Sequence, residues 1–112
     1  MALTANLEMV KNVAKITLSG DLDASSAPVL KEKIEDAAKK QAKRLVLMMQ
    51  DLAYIASAGI RVLIFAKQKM GAKVDIFVVA PQAQISETLE MTGLQHSVTI
   101  LPEYDAAQIE NV

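Results

Sequence analysis

An α/β fold, with a mainly parallel mixed sheet of about four or five strands and about four helices, is the architecture this sequence predicts. Three observations carry it. Segments with strand-like alternation give way to segments with helical spacing, and back again, along the whole chain. The connections between them are short, as in βα crossover units. One continuous apolar run, Leu45-Val46-Leu47-Met48-Met49, has the character of an interior strand covered on both faces.

The elements follow in order. Leu7-Glu8-Met9-Val10 is a short candidate strand, and Asn12 marks a turn after it. Ala14, Ile16 and Leu18 alternate with Lys15, Thr17 and Ser19, the period of a half-buried strand. The tight turn makes these two strands antiparallel, and Gly20-Asp21-Leu22-Asp23 ends the second in a polar loop. Ser25 and Ser26 are candidate N-caps, and Pro28 suits a first helical turn. Leu30, Ile34, Ala37 and Ala38 then recur at helical spacing, with Glu35–Lys39 and Asp36–Lys40 as favourable pairs on the opposite face. This helix is expected to reach Gln41.

After the apolar strand comes Asp51-Leu52-Ala53-Tyr54-Ile55, then Ser57 and a second helix carrying Ile60, Leu63 and Ile64, with Gly71 as its stop. Val74 to Val79 reads as the next strand. Pro81 introduces a third helix with Ile85 and Leu89 inward and Gly93 at its end. Val98 to Leu101 is a last strand, and Tyr104 to Val112 a last, short helix.

Composition narrows the function. At 112 residues the chain fits one domain, with a core built from aliphatic side chains and some of its six Met, because it holds only two Phe, two Tyr and no Trp. Scarce aromatics leave little stacking surface for nucleobases. Twelve basic against thirteen acidic residues give a net charge of −1, without the basic bias of a duplex-binding domain. The lack of cysteine removes disulfides, thiol chemistry and Cys-ligated zinc, and fits a cytoplasmic protein. No secretory signal is expected at the N-terminus, and no apolar run approaches the ~20 residues of a membrane-spanning helix.

Catalytic equipment is missing from the pattern. The glycines sit at turns and helix ends and build neither a phosphate loop nor a dinucleotide fingerprint. His96, the only histidine, reads as a partly exposed loop residue and supplies neither a metal centre nor a Ser-His-acid triad. Asp21 and Asp23 read as turn and cap residues after a strand. No metal, no cofactor and no enzyme activity are expected.

What remains is Ser57, at a strand-to-helix turn where α/β sheets present functional groups. Ala56, Ala58 and Gly59 are small and leave its hydroxyl accessible. Arg61, four residues later, can share an exposed face with it. Two readings stand side by side: Ser57 caps its helix, as serines routinely do, or it serves a regulatory role.

Three segments carry a resemblance: Gly20-Asp21-Leu22-Asp23, the run from Asp51 to Leu63 through Ala56-Ser57-Ala58-Gly59-Ile60-Arg61, and Glu90-Met91-Thr92-Gly93-Leu94. They resemble STAS domains, and more narrowly the bacterial anti-sigma factor antagonists. The likeness spans nearly the whole chain, so residues 1–112 are expected to form a single STAS domain. It implies βα units wound as a short superhelix. It also implies that the serine at the start of the second helix, here Ser57, is phosphorylated. The modifying enzyme would be an anti-sigma factor that is itself a serine kinase with a histidine-kinase-like ATPase fold. A metal-dependent serine phosphatase would reverse the step. The unphosphorylated domain would bind the kinase and free a sigma factor through Asp21, Asp23, Ala56, Ser57, Ala58, Gly59 and Arg61. Ala56 stands where many family members carry an acidic residue, and some carry serine. Other STAS proteins are unphosphorylated accessory subunits of transporters or signalling scaffolds, the alternative reading here. Neither nucleic acid nor direct membrane insertion is implied.

Overall fold

A computed structural model describes residues 2–111. The chain alternates strands and helices as β1 (Thr4–Val10), β2 (Val13–Leu22), α1 (Ala27–Lys39), β3 (Arg44–Ile55), α2 (Ser57–Met70), β4 (Asp75–Val79), α3 (Ala83–Met91), β5 (Thr99–Leu101) and α4 (Ala106–Ile109). A short 3-10 helix, Leu94–His96, follows α3 and ends on His96, which is exposed. The sheet has five strands in the order β1-β2-β3-β4-β5. The β1–β2 hairpin is antiparallel, and every later pair is parallel. This is the mixed, mainly parallel α/β sheet that the sequence predicts.

Strand alternation divides the interior in two. Ile16, Leu18, Leu45, Leu47 and Val78 pack with Leu30 and Ile34 of α1, Leu63 of α2, and Ile85 and Leu89 of α3. In-sequence strand order with right-handed crossovers places all three helices on one face. Val46, Met48, Phe77 and Val79 form a smaller cluster with Ile109 of α4 on the other face. The run from Leu45 to Met49 is therefore buried on both sides, each residue less than a tenth exposed. Arg44 pins α4 by donating to the carbonyls of Gln108 and Ile109, the latter at 3.0 Å.

Several boundaries differ from the sequence reading. The segment Gly20–Leu22 does not leave the sheet as a loop; it continues β2. Register shifts between Thr17 and Ser19 and between Gly20 and Asp21 keep that continuation paired with β3 out to Leu22↔Ile55. Gly20 has φ +92, and a Cβ there would lie 2.2 Å from the Ala2 carbonyl oxygen. Only glycine serves a position of positive φ that another backbone segment approaches so closely, while the extra residue at each register shift lies on β3. The first helix stops at Lys39, because Gln41 takes a left-handed φ of 56. The last helix is confined to Ala106–Ile109, and its expected end at Val112 lies outside the described residues.

Candidate functional site

The parallel strands β2 and β3 end side by side, and both connections into helices leave from there. In an open α/β sheet this pole is where functional groups are presented. Asp21 lies opposite Tyr54 in the register and Leu22 opposite Ile55. The Ala56 amide donates to the Leu22 carbonyl at 2.8 Å, so the start of α2 is tied directly to the end of β2. The Gly20–Asp23 and Asp51–Leu63 segments, far apart in sequence, thus build one surface.

Ser57 is the first helical residue of α2, and Ala56, in extended conformation, is the residue that precedes it as cap. The capping reading of Ser57 therefore fails. Among the described residues its hydroxyl has no hydrogen-bond partner, and the residue is exposed. The Gly59 and Ile60 amides both reach the Ala56 carbonyl, at 2.9 and 3.1 Å. The Ser57 and Ala58 amides precede the first turn and have no intrahelical acceptor.

Gly59 explains how this turn sits so close to the sheet. It is buried, and a Cβ there would come within 2.7 Å of Leu22 Cγ and 2.9 Å of Ile55 Cγ1. The absent side chain lets α2 press against the ends of β2 and β3. Ala56 and Ala58 are half-buried beside it, so that only Ser57 projects from the first turn.

Asp23 organises the neighbouring loop. Its Oδ1 accepts from the Ser25 amide at 3.0 Å, the Ser25 hydroxyl at 2.7 Å and the Ser26 amide at 3.1 Å. The Ser25 hydroxyl, foremost, holds its carboxyl below the usual carboxylate range by stabilising the charged form, against the opposing effect of burial. Ser26, nearly buried, accepts from the Asp23 amide at 3.0 Å and donates to the Asp21 carbonyl at 2.9 Å. Ser26 precedes α1 without a side-chain cap bond to it, and Pro28 lies in the first turn. The turn chemistry expected of Asp23 is thus present, carried by Oδ1.

Arg61 is exposed one turn after Ser57. Between α2 and α3 an open groove of about 400 Å³ is lined by Tyr54, Ser57, Ile60, Arg61, Thr88 and Thr92, among others. Sequence reading did not single out the two threonines or Tyr54, which is 53% exposed, as parts of one site. Nor did it find Gln82 and Gln84, whose side-chain amides donate to the Gln50 and Ala53 carbonyls, both at 3.1 Å. Gln50 and Ala53 have no partner in the β2 register, and β3 outruns β4, whose last pair is Met48↔Val79. The two glutamines thus replace a missing strand. Their signal was a pair of amide side chains just after Pro81, which is weak without the fold.

Among the described residues no three His, Cys, Asp or Glu side chains are grouped to hold a metal ion. No helix among them is long and apolar enough to cross a membrane. The surface presents the exposed hydroxyl of Ser57, without a hydrogen-bond partner among the described residues.

Comparison with known proteins accords with this geometry. The chain is 24% identical over 93 residues to the anti-sigma-F factor antagonist RsfB of Mycobacterium tuberculosis, covering 83% of this chain and 76% of that one. An anti-sigma factor antagonist from Mycobacterium paratuberculosis superposes with a TM-score of 0.86 at 24% identity, over 96% of this chain and 92% of that one. SpoIIAA of Bacillus superposes in its unphosphorylated form (TM-score 0.76, 17% identity, 94% and 91% covered). It does so also in its phosphorylated form (0.72, 19%, 94% and 97%). These likenesses establish the fold. The STAS domain pattern itself matches residues 4–107, from the first strand into the last helix. The chain belongs to the STAS domain family.

Proposed function

We propose that this protein is an anti-sigma factor antagonist that works by partner switching and not by catalysis. The observation that carries the reading is Ser57: an exposed hydroxyl, without a hydrogen-bond partner among the described residues, projecting from the first turn of α2 among small neighbours. The names of its relatives support the same reading, as does a fold neighbour that exists in phosphorylated and unphosphorylated forms.

In the unphosphorylated state the surface binds an anti-sigma factor with a histidine-kinase-like ATPase fold, which releases its sigma factor. Asp21, Asp23, Ala56, Ser57, Ala58 and Arg61 form the contact; Gly59, expected among them, is buried and instead seats the turn against the sheet. Ser57 Oγ then attacks the γ-phosphorus of the ATP held by that kinase; the hydroxyl proton is lost and ADP departs. The chain supplies only the nucleophile. A metal-dependent serine phosphatase directs water onto the phosphorus, restoring the hydroxyl and releasing inorganic phosphate.

Phosphorylation adds about −1.5 to −2 charges at the centre of the contact. A dianion buried without a partner costs several kcal/mol, and each ~1.4 kcal/mol is tenfold in affinity, so the complex weakens about a hundredfold or more.

The test is to incubate the protein with ATP and the serine kinase encoded near it, then map the phosphosite by mass spectrometry. Labelling of wild type and its loss in Ser57→Ala are expected. Equal labelling of Ser57→Ala would move the site elsewhere. Wild type that is neither labelled nor bound by the kinase would sink the switch and favour an accessory STAS subunit.

A further inference from the structure

We propose that Arg61 is the counter-ion of a phosphate on Ser57 within the same chain, drawing it into the groove between α2 and α3. The inference rests on reading Ser57 as a phosphoacceptor, and concerns what the phosphate does once attached.

The groove holds both groups. Arg61 is the one cationic side chain lining it, and no carboxylate does; the remaining walls include Tyr54, Ile60, Thr88 and Thr92. Among the described residues Arg61 has neither an ion pair nor a hydrogen bond. Arg44, by contrast, is engaged with Asp75 and with α4. An unpaired guanidinium therefore shares a groove with the hydroxyl that is to carry a dianion.

Helix geometry brings the two together. Residues four apart on a helix have Cβ atoms about 5–6 Å from each other, and helical side chains lean back toward the N-terminus. Arg61 accordingly leans toward Ser57 and not away from it. The charges elsewhere push in the same direction. Asp21 and Asp23 belong to the β2 side of Ser57, in register with Tyr54 or just beyond it, and neither lines the groove. Tyr54 is the only other titratable group along the groove. A phosphate at Ser57 thus shares the groove with an unpaired guanidinium and no carboxylate. The guanidinium's planar donor fork matches phosphate oxygens geometrically, which a lysine matches only as a point charge.

The consequence is a division of labour. Charge alone weakens the partner complex; Arg61 adds that the phosphate lies over Ile60 and the α3 threonines and covers the groove. The modified residue then occupies space that a partner's side chain would otherwise fill.

Phosphoserine installed at position 57 during translation, by an expanded genetic code, yields uniformly modified protein without a kinase. Its second ionisation is followed by ³¹P NMR, and the groove by the amide resonances of Thr88 and Thr92. Arg61 favours the dianion, so the second pKa in wild type is expected about 0.2–0.4 unit below that in Arg61→Gln, with Arg61→Lys between them. The Thr88 and Thr92 resonances should move on modification in wild type and stay put in Arg61→Gln. Because Arg61 is exposed, the substitution leaves the fold intact. Identical titrations in wild type and Arg61→Gln, or unmoved threonine resonances, overturn the proposal whether or not any kinase acts on Ser57. The expected shifts together with failure of kinase labelling would support the pairing and reject only the partner switch.

Discussion

Ser57 and Asp23 have opposite relations to the fold. Replacing a capping serine by alanine typically costs about 1 kcal/mol, whereas a surface side chain with no partner changes stability by less than ~0.5 kcal/mol. Ser57 makes no cap bond, so thermal denaturation of Ser57→Ala is expected to match wild type within a degree or two. A loss of several degrees would return Ser57 to the role of cap. Asp23, in contrast, is held by Ser25 and Ser26, and its carboxyl ionises at lower pH than in the unfolded chain. A depressed folded pKa contributes stability that is fully present above the unfolded value of 3.8 and is lost as pH falls through the folded value. Asp23→Asn should therefore melt below wild type at neutral pH. The difference should shrink as both are acidified below pH ~4. A gap independent of pH would mean that the charge on Asp23 does not matter to the loop.

At the scale of elements, the site depends on how closely α2 approaches the ends of β2 and β3. Gly59→Ala puts a methyl group where Leu22 and Ile55 already stand, and the contact atoms Leu22 Cγ and Ile55 Cγ1 lie near the backbone end of buried side chains and cannot simply swing aside. Overpacking of this kind costs about 1–3 kcal/mol, and the first turn of α2 should shift outward with it. Urea denaturation checks the cost, and an unchanged midpoint would show that the turn can relax. The same junction shows what the sequence alone could convey. Helix faces were legible because Leu30–Ile34, Ile60–Leu63 and Ile85–Leu89 follow local periods, and the strand from Leu45 was legible from its unbroken apolar run. Gly20-Asp21-Leu22 looked like a loop because glycine and aspartate are turn residues, and Asp51 to Tyr54 carried no assignment. Both are strands because β3 carries an extra residue at each register shift and so stays paired with β2, a pairing that no local window contains. Ser57 itself was visible, though its freedom from capping was not, since that depends on Ala56 taking the cap position. The groove was invisible for a similar reason: Tyr54, Arg61 and Thr88 meet only after two crossovers.

Across the whole molecule, the proposed site and the two buried clusters are separate. The larger cluster lies between the sheet and α1–α3, the smaller beneath α4, and Ser57 belongs to neither. A charge added at Ser57 therefore displaces no core contact. It meets the start of a long helix, where exposed anions are favoured by ~0.3–1 kcal/mol, together with the cation of Arg61. For a domain of this size ~1 kcal/mol corresponds to roughly 4 °C in melting temperature. Fully phosphorylated protein is thus expected to melt at or slightly above the unmodified temperature, while its affinity for the kinase falls by about a hundredfold or more. Differential scanning calorimetry of the two forms, beside isothermal titration with the kinase held in its nucleotide-bound state, measures both quantities on the same samples. A melting temperature lowered by 5 °C or more on phosphorylation, well beyond what ~1 kcal/mol explains, would place the phosphate in conflict with the fold. The switch would then operate by loosening the domain, and the separation of signalling surface from core would not be its basis.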